Sequence, residues 1–251
     1  MFGTFWPSLL MLASSRGLGD DAPKAQCFDS KGVSIQYTVE GAGQPAVLIH
    51  GLFASGNLNW RLPGITQALA KDYQVITMDV RGHGGSGKPE QAEAYGVELA
   101  EDVVRLLDHL KLQKAHLVGY SMGGMIAMKL MTRHPERVQS VVLGGMGWLR
   151  EGSRLQEFWN RLPERQRAAT PLACAHSLGA LAVTEAEVKA IRIPVTVIIG
   201  ASDPVRNLYV LPLQTVRSDW PVTIIDGVGH IGCVLKPEFK EAVKKWLDHQ
   251  R

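Results

Sequence analysis

The sequence predicts an α/β fold: a mostly parallel central sheet of about eight strands, helices on both faces, and a short helical cap. Short runs of consecutive apolar, β-branched residues recur along the chain, as expected of strands buried on both faces. Stretches with helical periodicity separate those runs. One segment, residues 148–191, interrupts the alternation with helical spacings and no strand.

The elements follow in order. Residues 5–13 form a short apolar run followed by small and then polar residues. The run resembles the core of an export signal but lacks a preceding Lys or Arg, so residues 1–26 are read as a leader, exported or cytoplasmic. It is too short to span a bilayer, and no stable membrane insertion is expected. Residues 33–39 alternate apolar and polar, as a half-exposed strand does. Buried strands are predicted at residues 46–49, 75–78, 116–118, 141–143, 195–199 and 222–225. Val97, Val103, Val104, Leu107 and Leu110 mark one amphipathic helix; residues 122–134 form a second, ended by Pro135; Phe239, Val243, Trp246 and Leu247 mark the last. The core is therefore residues 27–147 and 192–251, with 148–191 as the cap.

Composition narrows the function. The 251 residues carry a formal net charge of +3 with no clustered run of cations, which argues against a nucleic-acid partner. The three cysteines, Cys27, Cys174 and Cys233, are far apart and describe neither a disulfide framework nor a metal site. No metal and no organic cofactor is called for, and the expected partners are a small-molecule ester and water.

The chemistry lies at the carboxyl ends of the strands. Gly119-Tyr120-Ser121-Met122-Gly123 stands directly between a strand and a helix, where a G-x-S-x-G turn lifts a serine clear of the sheet. A serine hydroxyl needs a base and a group to orient that base. His230 follows the last strand and Asp203 the one before it, giving the chain order Ser121, Asp203, His230. The oxyanion requires two amides; Met122, after the serine, supplies one and Leu52, in His50-Gly51-Leu52-Phe53, the other. Gly51 is expected to let that chain turn, with His50 holding the loop, and His83 to pack within its glycine-rich loop. Phe53, Tyr120, Met146, Trp148, Phe158 and Trp159 are expected to line the substrate pocket. Arg150, Arg154, Arg161, Arg165 and Arg167 alternate with Glu151, Glu157 and Glu164 and are read as solvated surface.

These motifs together resemble the α/β-hydrolase superfamily over residues from about 28 to 248. His50-Gly51 is similar to its oxyanion loop, Asp79-Val80-Arg81-Gly82-His83-Gly84-Gly85-Ser86 to its D-x-R-G-x-G-x-S segment, and Gly119 to Gly124 to its nucleophile turn. Gly200-Ala201-Ser202-Asp203-Pro204 and Gly229-His230 resemble its acid and base segments. The resemblance implies a Ser-His-Asp acyl-enzyme mechanism. Ser121 argues against members with an aspartate nucleophile, which open epoxides or remove halide. The Ser-Met-Gly-Gly run resembles small esterases and enol-lactonases, and the short cap departs from the carbon–carbon bond hydrolases. A carboxylic-ester hydrolase for small or medium esters is the expected function. The alternatives are an enol-lactone or carbon–carbon bond hydrolase and a non-catalytic ligand-binding protein of this fold.

Overall fold

The computed structural model describes residues 23–154, 156–157 and 172–251. The apolar run 5–13, the pocket candidates Phe158 and Trp159, and Arg161, Glu164, Arg165 and Arg167 lie outside the described residues.

Eight strands form one sheet: β1 (Gln26–Ser30), β2 (Val33–Glu40), β3 (Gln44–Ile49), β4 (Tyr73–Met78), β5 (Ala115–Tyr120), β6 (Val138–Gly144), β7 (Val195–Gly200) and β8 (Val222–Ile225). Their order across the sheet is β1-β2-β4-β3-β5-β6-β7-β8. The pairs β1/β2 and β2/β4 are antiparallel; all others are parallel. The sequence reading does not contain β1, and it ends the leader at the residue where that strand begins. Lys31 and Gly32 both have positive φ (54° and 80°), the two-residue turn whose twist suits a tight hairpin. The Gly32 N–H donates to the Asp29 carboxylate at 3.1 Å.

Strand parity divides the core. Val47, Ile49, Leu117, Val141, Leu143, Val197 and Ile199 face one side, where they pack against α2 (Glu98–His109) and α3 (Met122–Arg133). Ala46, Leu48, Val118, Val142 and Ile198 face the other, covered by α1 (Ile65–Leu69) and α8 (Pro237–His249). The remaining helices are α4 (Leu172–Ser177), α5 (Glu185–Ala190), α6 (Leu211–Val216) and α7 (His230–Cys233). Thr184 and Glu187 form a reciprocal capping box at the start of α5. Among the described residues no helix is long and apolar enough to cross a membrane.

The interruption after β6 leaves and returns at one place. Val183 N–H donates to Leu149 O at 3.1 Å and Glu151 N–H to Val183 O at 3.1 Å. The Trp148 indole N–H also donates to Val183 O, at 2.9 Å. The Arg81 guanidinium grips both oxygens of Asp102 on α2, at 2.6 and 2.5 Å. Asp102 also accepts from the Ser30 hydroxyl at 2.5 Å, so the loop after β4, the β1/β2 hairpin and α2 meet at one buried charge pair.

Candidate active site

Ser121 is where β5 becomes α3, and the turn is possible only because its neighbours lack side chains. A Cβ on Gly119 would stand 2.2 Å from Gly123 O, and one on Gly123 would stand 2.0 Å from Ile49 O. Between them Ser121 takes φ 54° and ψ −113°, a strained backbone for a residue with a Cβ. Its Oγ lies 2.9 Å from His230 Nε2.

His230 opens α7, after β8, and its Nδ1 is 2.8 Å from Asp203 Oδ2. A carboxylate only accepts, so Nδ1 carries the proton and Nε2 offers its lone pair to the serine hydroxyl. Asp203 follows β7 with its carboxyl group fully buried. Its other oxygen accepts the Val205 N–H at 2.9 Å, which fixes the carboxylate from behind. The contacts to Val205 and to His230 thus use different oxygens of one side chain. Ser121, Asp203 and His230 are brought together in one continuous chain of contacts.

The loop expected to supply an oxyanion donor leaves β3. The amides of Leu52 and Met122 have no hydrogen-bond acceptor among the described residues. Gly51 does not supply the turn's unusual backbone: the positive φ, 60°, falls on Phe53. Gly51 is required for proximity instead, because a Cβ there would stand 3.3 Å from Ser121 Cβ. His50 is structural. Its Nδ1 donates to Gly51 O at 2.7 Å, and its Nε2 accepts the Val80 N–H at 2.9 Å. Burial pushes its pKa down. His83 packs edge-on against it, with ring centroids 5.2 Å apart.

Three of the predicted pocket residues are core residues. Tyr120 shares the strand face of Val118, so its ring enters the second core, 3% exposed, against Trp60 and Phe239. Its hydroxyl donates to the His230 carbonyl oxygen, which supports the base from below. Met146 is 1% exposed and packs against Gly124, while Trp148 is 2% exposed and spent on Val183. Phe53 alone of the described candidates is open, at 45%. Ile231, beside His230, is more so at 82%, and it lies outside the sequence reading because short exposed turns have no periodicity. Asn59 is a second residue the sequence does not single out. It is buried, and its side chain accepts the Gly51 N–H. A surface cavity of about 560 Å³ lies at the amino-terminal end of the strands, away from the triad, by the start of β6 and before β7. Among the described residues no cluster of side chains suits a metal ion.

The profile of the alpha/beta hydrolase fold matches residues 45–186, more than half of the chain. The chain belongs to that family. It is 42% identical over 107 residues to the 2-hydroxymuconate semialdehyde hydrolase of Pseudomonas sp. (strain CF600), covering 42% of this chain and 37% of that protein. It is 34% identical over 134 residues to a putative esterase/lipase of Haemophilus influenzae, covering 50% and 45%. These matches span less than half the length of either relative. A solved structure of an N-acyl homoserine lactone degrading enzyme superposes with a TM-score of 0.72 at 27% identity, covering 88% of this chain and all of that one.

Proposed function

We propose that the protein is a serine carboxylesterase for small or medium esters. The observation that carries this reading is the continuous contact Asp203–His230–Ser121 at 2.8 and 2.9 Å, beside two uncommitted amides. His230 Nε2 takes the hydroxyl proton as Ser121 Oγ bonds to the ester carbonyl carbon. The oxyanion that forms is held by the N–H groups of Leu52 and Met122, each contributing about 3 kcal/mol to lowering the barrier. Collapse breaks the bond to the alcohol oxygen, which leaves with the proton from His230. Water then gives its proton to His230, attacks the acyl carbon and releases the carboxylic acid and free Ser121. Asp203 holds the imidazole tautomer throughout and stays ionised.

The esterase/lipase-named relative and the exposed apolar side chains of Phe53 and Ile231, the latter next to His230, support an ester with an apolar acyl or alcohol group. The excursion pinned at Val183 supports reading residues 148–191 as a small cap. A second reading, hydrolysis of an enol-lactone or of a carbon–carbon bond, is favoured by the 42% identity to the semialdehyde hydrolase.

A fluorophosphonate probe with mass mapping tests the first step, with labelling expected at Ser121. Ser121→Ala is expected to lower p-nitrophenyl ester turnover by about 10⁴-fold or more. Retained turnover in that variant overturns the assignment. Comparing kcat/KM over a chain-length series of esters with that for enol-lactones separates the two readings, and a strong lactone preference favours the second.

A further inference from the structure

We infer that Asn59 is a positioning residue for the oxyanion loop, fixing the peptide that presents the Leu52 amide. This rests on the serine-hydrolase reading above.

The carbonyl of Gly51 and the N–H of Leu52 belong to one planar trans peptide, so they point in opposite directions. Gly51 O accepts from His50 Nδ1 at 2.7 Å and from the Ala54 N–H at 3.2 Å. With the carbonyl held there, the Leu52 N–H is aimed the other way and finds no acceptor among the described residues. That clamp controls only one side of the Gly51 α-carbon. The other side is the peptide carrying the Gly51 N–H, and Asn59 Oδ1 takes that hydrogen at 2.8 Å.

The lock is needed because residue 51 is a glycine. A Cβ there would crowd Ser121 Cβ at 3.3 Å, so the loop uses the residue with the widest backbone freedom at the point where orientation matters most. Asn59 removes that freedom from outside the loop.

The side chain is itself presented on a fixed support. Asn59 lies in a π-helical turn, Asn57–Arg61, and is 8% exposed. The turn is tied down before and after Asn59. The Gly56 N–H donates to Asp79 Oδ1 at 2.8 Å, and Arg61 grips both oxygens of Glu40 at 2.7 Å. Trp60, fully buried against Tyr120, holds the middle. Asparagine is also the right acceptor electrically. An aspartate would keep the hydrogen bond but place a negative charge beside the developing oxyanion, which opposes it.

The test compares Asn59→Ala and Asn59→Asp with the full-length enzyme on a p-nitrophenyl ester. Asn59→Ala is expected to lower kcat by about 10- to 100-fold while KM stays within about twofold, since a misaimed donor loses transition-state and not ground-state contact. The Ki of a trifluoromethyl ketone is expected to rise by the same factor as kcat/KM falls. Asn59→Asp keeps the acceptor but buries an unpaired charge, so it is expected to lower both the melting temperature and kcat at pH 8. A purely structural role predicts that the melting temperature falls while kcat stays near wild type. Wild-type kcat in either variant, or a ketone Ki unchanged in Asn59→Ala, overturns the inference. If Ser121→Ala abolishes turnover while the Asn59 variants behave as wild type, only the inference fails; if turnover survives Ser121→Ala, the reading beneath it fails.

Discussion

A methyl group on residue 123 would meet two backbone oxygens where the chain leaves β3, Ile49 O at 2.0 Å and His50 O at 3.0 Å. Backbone atoms in a sheet cannot rotate away, so Gly123→Ala must displace the first turn of α3 and Ser121 with it. The expected cost is at least about 1–3 kcal/mol of overpacking, and Ser121 labelling slows together with the fall in melting temperature. Gly152→Ala is the control. Gly152 has φ 70° with nothing within 4 Å, so the same substitution costs only backbone strain of about 1–2 kcal/mol and leaves labelling unchanged. Equal labelling rates in both variants would refute the crowding argument. The residue scale is also where the sequence is most and least informative. Ser121, Asp203 and His230 are legible because each sits at the end of a strand whose apolar run is visible. The burial of Tyr120 is legible too, since strand parity puts it with Val118 on the face away from Leu117. Asn59 was not legible: one buried asparagine has no pattern, and only the fold shows which amide it meets.

The larger elements, β3 through β7 and α2, α3 and α8, follow their sequence periods closely, because long buried faces impose a period on the residues that fill them. The short pieces do not. β1, α1, α5 and the turn that bears Asn59 are a few residues each, and tertiary contacts rather than local pattern define them. One such contact joins three elements. Ser30, Arg81 and Asp102 connect the hairpin, the loop after β4 and α2, with Arg81 2% and Asp102 0% exposed. Removing one charge leaves the other buried alone. Asp102→Asn is therefore expected to destabilise the fold by about 3–5 kcal/mol, read from the urea midpoint. The double variant Arg81→Met with Asp102→Leu should recover a large part of that loss, because neither side chain then strands a charge. A loss below about 1 kcal/mol in Asp102→Asn would show that the pair does not bind the hairpin to the helix.

At the scale of the whole molecule, the buried histidines couple stability to pH. His83 and His116 are 2% and 1% exposed, and burial pushes each pKa down to about 4, with the neighbouring His50 adding to the effect at His83. His116 sits between Ser140 Oγ at 2.8 Å and Gln44 Oε1 at 2.9 Å, an arrangement that suits one donor and one acceptor nitrogen. His83 Nδ1 faces the Arg81 carbonyl at 3.2 Å, and its Nε2 has no partner among the described residues, so a second proton there would be buried unpaired. In the unfolded chain both titrate near 6.5. The folded value is the lower one, so the unfolded state binds more protons between these limits. The contribution is fully present above pH 6.5 and is lost as pH falls from 6.5 towards 4. Each histidine accounts for at most about 3 kcal/mol over that window, and together they rival the whole stability of an ordinary domain. The urea midpoint is accordingly expected to hold between pH 8 and 7 and to drop steeply from pH 6.5 to 4.5. In His116→Gln the midpoint at pH 7 falls as well, since the contact to Ser140 is lost, but the slope below pH 6.5 becomes shallower. A slope identical to that of the wild type would remove His116 from the account, and a flat wild-type midpoint down to pH 5 would remove both histidines.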